Sequence, residues 1–194
     1  MRVFRLCKKR YPASVLSGAG GLESGGRWHT EGRRIVYCAT SEALAVLEVR
    51  VHIGRFIPRA PFVMHEIAIP DDLIHTLAHR DLPTQWNSVP HSPITQAKGD
   101  AWLSKAKHLA LRVSSVHSQH DWTVLINPEH EAAQQVRVVA RRAYRFDPRL
   151  FEPVKRGVTQ ARPERWRGPT AGLMMGHARC NQFGDVPADA RGVH

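Results

Sequence analysis

Apolar residues come in short runs separated by turn-forming residues, and the runs predict strands more often than helices. Residues 3–6 predict an opening strand, and residues 14–26, rich in glycine and serine, predict a loop. The run Arg-Ile-Val-Tyr-Cys-Ala at 34–39 predicts a second strand. Thr40 or Ser41 then caps a helix over 41–52. Within it Leu44, Leu47, Glu48 and Val51 are spaced three and four apart and share a stripe, expected to be the buried face. Residues 62–69 predict a strand closed by Pro70. Residues 73–92, with Pro83, Pro90 and Pro93 in or beside them, predict a loop with a short helical turn. A helix over 94–107 follows, weakened by Gly99. Residues 109–113 and 123–126 predict strands flanking a polar turn, and 136–146 a last strand with imperfect alternation. Strands and helices in this mixed order fit an α+β domain better than a regular βαβ alternation.

After Glu152 the pattern stops. Residues 153–194 hold six glycines and four prolines with few apolar residues at helical or strand spacing, so they predict a tail with little core of its own. The expected division is a domain over 1–152 and a basic Gly/Pro-rich tail over 153–194. The chain of 194 residues is long enough to bury a core without disulfides. No apolar run approaches the roughly eighteen residues of a membrane span, and the basic residues 1–10 lack the apolar stretch of a secretory signal. Cys7, Cys38 and Cys180 are odd in number and form no CxxC pair, which excludes the usual zinc patterns and fits a reducing, cytoplasmic compartment. The net charge of +11 suits a nucleic acid, an anionic small ligand or an acidic protein partner. No run of five or more basic residues marks a dedicated nucleic-acid arm.

Several arrangements that could carry chemistry fail on spacing. His75 and His79 are four apart, but no glutamate follows His75 as a metalloprotease helix requires. Gly18-Ala19-Gly20-Gly21 lacks the Gly-Lys-Ser/Thr ending of a phosphate loop, and no Gly-x-Ser-x-Gly elbow is present. His117 and His120 flank a polar turn and, with the basic surface, are the residues an RNA-binding or RNA-cleaving protein would use. Arg27, directly after Gly25 and Gly26, sits where the backbone can turn sharply and a ligand can come close. Glu48 is a carboxylate on an apolar stripe, set either into a partly dry pocket or at the helix rim; spacing leaves both open. Tyr37 lies in the strand between them, and Ser115 in the turn after an apolar strand, a usual place for site residues.

These residues fall in a recognisable order. Gly25-Gly26-Arg27-Trp28-His29, Gly32, Ile35-Val36-Tyr37-Cys38-Ala39 and Leu44-Ala45-Val46-Leu47-Glu48 are followed by Gly99-Asp100-Ala101-Trp102-Leu103, then Val113-Ser114-Ser115 and Thr123-Val124-Leu125-Ile126-Asn127-Pro128-Glu129-His130. The chain resembles the RES-domain toxins of bacterial toxin–antitoxin modules over roughly residues 1–150. His29, Ser114 and Thr123 stand where that pattern has Asn, Pro and Asn.

The resemblance implies a compact α+β fold with short, largely antiparallel sheets, like that of ADP-ribosyltransferases. It implies an enzyme that cleaves the nicotinamide–ribose bond of NAD+ by phosphorolysis, hydrolysis or ADP-ribosyl transfer. NAD+ is then a substrate, inorganic phosphate a candidate co-substrate, and no prosthetic group or metal is called for. Arg27, Glu48 and Ser115 become the catalytic set, with Trp28, Arg33, Tyr37 and Asn127 binding substrate. The implied partner is an Xre-type helix-turn-helix antitoxin in a hetero-oligomer, which would make any DNA contact itself.

Overall fold

The structure, a computed structural model, describes residues 1–9 and 15–152. The expected tail 153–194 and the first residue of the glycine–serine loop lie outside the described residues. The architecture is α+β, built on one sheet. Its strands are β1 (Arg2–Lys8), β2 (Val36–Ala39), β3 (Phe62–Ala68), β4 (Ile74–Thr76), β5 (Ala110–Ser114), β6 (Trp122–Ile126) and β7 (Arg137–Tyr144). They stand in the order β4-β5-β6-β2-β1-β3-β7. All neighbours are antiparallel except β4 and β5. The short antiparallel sheets expected from the sequence are thus one sheet of seven strands. Among the described residues three α-helices accompany it: α1 (Gly20–Glu23), α2 (Glu42–Arg50) and α3 (Pro93–Lys105). Among the described residues no helix is long and apolar enough to cross a membrane.

The local signals explain most of these elements. Ser41 is the cap of α2, its hydroxyl accepting from Leu44 N–H at 3.1 Å. Thr40 does other work: its hydroxyl accepts from Trp122 N–H at 2.9 Å and ties the start of α2 to β6. α3 opens on Ser92 as cap with Pro93 in the first turn, where a missing N–H costs nothing. The 3₁₀ turn at His79–Asp81 is the short helical turn expected within 73–92, and one feature departs from the expected loop: residues 74–76 form β4, paired in parallel with β5. A three-residue strand is too short to show a period, so its pairing comes from the β5 edge it meets.

Both faces of the sheet are covered. Val3, Val36, Cys38, Ile67, Ala110, Val124 and Ile126 build the core on one side. On the other, α2 buries Leu44, Ala45 and Val49 against Leu6, Ala39, Phe62 and Met64. Beside that cluster, Trp28, Ile35 and Leu103 of α3 pack on Leu111, Val113 and Leu125. The expected stripe of α2 is therefore rotated. Leu44 is buried, but Leu47 and Val51 are 40% and 53% exposed, because the helix sets its Leu44–Ala45–Val49 side on the sheet. Glu48 falls at the margin, between the two packed clusters.

Candidate active site

A cleft of about 730 Å³ opens between those clusters. The turn 24–29 forms one wall and the segment 87–91 another. The end of α2 supplies Glu48, Val51 and His52, and the β5–β6 region supplies Ser114, Val116, His117 and Thr123. Arg5 and Tyr37 line the sheet side.

The turn carrying Arg27 is held by a polar chain. Tyr37 hydroxyl accepts from Trp28 N–H at 3.1 Å and lies 2.8 Å from His29 Nδ1, while His29 Nε2 lies 3.2 Å from the Ser24 carbonyl. A carbonyl only accepts, so Nε2 carries the ring proton and Nδ1 of the neutral ring accepts from Tyr37. Burial holds His29 below the ordinary histidine range, in keeping with that neutral ring. Gly26 makes this possible: a Cβ there would stand 2.7 Å from His29 Cε1 and 2.9 Å from the Tyr37 hydroxyl. The expectation that the glycines admit a ligand is refined, since Gly26 first admits the His29 ring. Arg27 Nη1 donates to the carbonyls of Trp86 and Ser88 at 2.6 and 3.0 Å, fastening the opposite wall to the turn.

Glu48 has one group at each oxygen. Thr123 hydroxyl donates to Oε1 at 3.3 Å, and His117 Nε2 stands 3.6 Å from Oε2. Its side chain is 21% exposed. Burial raises its pKa; the charge of His117, the Thr123 bond and the charge of Arg27 pull it down. Of the two sequence alternatives for Glu48, the structure gives the carboxylate in a cleft.

Arg5 carried no signal in the sequence. β1 and β2 share only the register pair Phe4↔Ala39, and where they part Arg5 Nη1 donates to the Tyr37 carbonyl at 2.6 Å. Its Nε is buried without a hydrogen-bond partner. The guanidinium thus bridges the seam in the sheet and faces the cleft. His52 and His91 also line the cleft, each held below the ordinary histidine range by burial first.

Not every expected residue meets there. Trp28 borders the cleft, but the side chain is core and only 2% of the residue is exposed. Ser115 is buried and does not line the cleft; its hydroxyl accepts from His117 N–H at 3.0 Å and shapes the turn. Arg33 is exposed on the far side, donating to Ser104 Oγ at 2.9 Å. Asn127 is buried at the end of β6, where Nδ2 donates to the Leu103 carbonyl and Oδ1 accepts from Glu129 N–H. Both therefore tie elements together outside the cleft. His117 and His120 do not share a site: His117 lines the cleft, and His120 is exposed outside it. Among the described residues no group of three His, Cys, Asp or Glu side chains is placed to hold a metal ion.

The pattern of the RES domain matches residues 2–148. The chain belongs to the RES domain family. It is 36% identical over 151 residues to the protein named Toxin Res of Yersinia enterocolitica, covering 77% of this chain and 99% of that protein. It is 35% identical over 156 residues to Toxin Res of Photorhabdus laumondii, covering 80% and 100%. Prs ADP-ribosylating toxin of a Sphingobium species is 34% identical over 147 residues, covering 74% and 91%. In three dimensions this RES domain resembles a chain of the M. tuberculosis MbcT–MbcA toxin–antitoxin complex. The TM-score is 0.55 at 18% identity, over 74% of this chain and 84% of that one, a likeness of fold.

Proposed function

We propose that this RES domain is the toxin of a toxin–antitoxin pair and that it breaks the nicotinamide–ribose bond of NAD+ in the cytoplasm, with residues 1–152 as the catalytic unit. The observation that carries the reading is Glu48: among the described residues it is the one acidic side chain on a cleft whose basic side chains are Arg5, Arg27 and four histidines. The ADP-ribosylating activity in the name of the Sphingobium relative supports the substrate class, since that chemistry opens the same bond. Its transition state carries positive charge on the ribose, and a partly dry carboxylate beside that carbon stabilises it. Arg5 and Arg27 hold pyrophosphate oxygens, which suits a planar fork of donors. The Tyr37 ring, on the cleft wall, packs against the nicotinamide.

The acceptor is inorganic phosphate, water or a side chain of a target protein, and products of different mass distinguish the three. The partner is an antitoxin that covers the cleft, in keeping with the complex in which the structural neighbour was solved. An Xre-type helix-turn-helix protein is proposed for it, bringing any DNA contact.

Purified protein is incubated with NAD+ alone, with phosphate, and with a bacterial lysate as the source of protein acceptors, and nicotinamide and the ribosyl product are followed by mass spectrometry. Nicotinamide is released by the wild type in at least one of the three, and Glu48→Gln lowers the rate by about 10²–10³-fold. Intact NAD+ in all three refutes the proposal.

A further inference from the structure

His117 stands at the mouth of the cleft on the turn between β5 and β6, and the turn is built to hold it. Ser115 hydroxyl accepts from His117 N–H at 3.0 Å, and Ser115 N–H donates to the Asp121 carbonyl at 3.3 Å. The Asp121 carboxylate in turn accepts from the hydroxyls of Ser118 at 2.9 Å and Thr40 at 3.3 Å, locking the turn to the start of α2. That arrangement sets the ring over the last turns of α2, where Nε2 lies 3.6 Å from Glu48 Oε2. From β6, Thr123 hydroxyl reaches the other oxygen.

We infer that His117 is a positioning residue for Glu48: together with Thr123 it brackets the carboxylate, one group at each oxygen, and fixes its orientation in the cleft. The inference rests on reading Glu48 as the group that faces the reacting ribose carbon. The separation is beyond a good hydrogen bond, so the ring acts through charge across a short, partly dry gap. Both side chains are mostly buried, His117 at 26% exposure and Glu48 at 21%, so solvent screens the pair less than it would at the surface. Among the influences that favour ionised Glu48, His117 comes first, ahead of the Thr123 bond and Arg27.

Among the described residues, the other titratable or charged groups on this cleft are Arg27 and His29 from the glycine turn, Arg5 from β1, Tyr37 from β2, His52 from the end of α2 and His91 from the far wall. Asp121 lies behind the turn. His52 is held below the ordinary histidine range by burial and by His117, so it does not supply the missing charge. Arg27 is fixed on the Trp86 and Ser88 carbonyls. This also gives Ser115 a part in the site without contact to a ligand: it acts through His117.

The sign follows from the carboxylate. Without His117, burial acts on Glu48 with less opposition, the carboxyl takes its proton at higher pH, and the acid limb of the rate profile moves up. The test measures kcat/KM for NAD+ cleavage from pH 5 to 9 in wild type, His117→Asn and His117→Lys. His117→Asn loses rate at every pH and loses more on the acid limb than on the alkaline side, and His117→Lys, which returns a cation, moves the limb back.

A second measurement needs no turnover. The Glu48 side-chain carboxyl resonance, assigned by its loss in Glu48→Gln, is titrated by NMR in wild type and His117→Asn; its midpoint rises when the imidazole is removed. A His117→Asn profile that superimposes on wild type, or a Glu48 midpoint indifferent to His117, overturns the inference. If the midpoint moves but wild type leaves NAD+ intact, the pairing stands and the proposed reaction falls. If nicotinamide is released and the midpoint does not move, the reverse holds.

Discussion

Replacing Gly99 with alanine sets two physical effects of opposite sign against each other. Gly99 is inside α3, and on helix propensity alone alanine is the better residue by about 0.8–1 kcal/mol. The tertiary structure forbids it. A Cβ at this position would stand 1.8 Å from the Trp28 carbonyl oxygen, 2.7 Å from its carbon and 3.1 Å from its Cα. These are backbone atoms, so no side-chain rotation relieves them, and α3 must back away from the Arg27–Trp28 segment. Overpacking of this kind costs about 1–3 kcal/mol, and the backbone obstacle puts it near the top, leaving about 2 kcal/mol of net destabilisation. At about 2–4 °C per kcal/mol for a domain of this size, Tm falls by about 4–8 °C. Because Trp28 follows Arg27 in the chain, the same displacement shifts the guanidinium, and NAD+ cleavage falls further than stability alone explains. Thermal unfolding by circular dichroism, with nicotinamide release at 25 °C, measures both. Gly54→Ala, where the added methyl meets nothing within 4 Å, is the control and leaves Tm within about 1–2 °C of wild type. A Gly99→Ala protein that melts at or above the wild-type temperature refutes the reasoning.

Arg5→Met removes the guanidinium at the β1–β2 seam and raises KM for NAD+ by about tenfold or more, the loss of a charged contact of ~1.5–3 kcal/mol; steady-state kinetics checks it, and an unchanged KM excludes Arg5 from substrate binding. His65 is buried on β3 with Arg5 and Arg141 as its register partners, and burial with those two charges pushes its pKa down to about 4. The unfolded chain binds this proton in the ordinary histidine range, so the contribution of His65 to stability is lost as pH falls from about 6.5 towards 4. Urea unfolding at pH 7 and pH 5 therefore shows a smaller acid loss in His65→Leu than in wild type, and equal losses in the two proteins contradict the assignment.

The candidate site was legible only where a residue's neighbours in sequence are also its neighbours in space. Arg27, Tyr37 and Glu48 reach one cleft because turn 24–29, β2 and α2 are consecutive, each ordered by local signals: glycines, a β-branched run and a serine cap. Ser115 lies in the expected turn, and its contact there, accepting from the His117 N–H that the turn brings round, was not legible in the spacing. Arg33 and Asn127 sit in the expected motifs and yet face Ser104 and Leu103, because α3 packs beside them. Arg5 was silent, because an arginine in an opening strand looks solvent-facing until the strand beside it diverges.

By itself, then, the order of short apolar runs and turn residues determined an α+β domain, its two longer helices, six of its seven strands and the family motif that places Arg27 and Glu48 near one another. Periodicity and capping act within a few residues, which is the range a single chain displays. Tertiary structure decided the rest: the pairing of β4, the side of α2 that is buried, the seam that admits Arg5, and the approach of His117 to Glu48 across 69 residues of chain. Each depends on which surfaces meet when the sheet closes. Packing then assigns roles that spacing had left open: Gly99 is required by the backbone it touches, and Glu48 lies 3.6 Å from a histidine on another strand's turn.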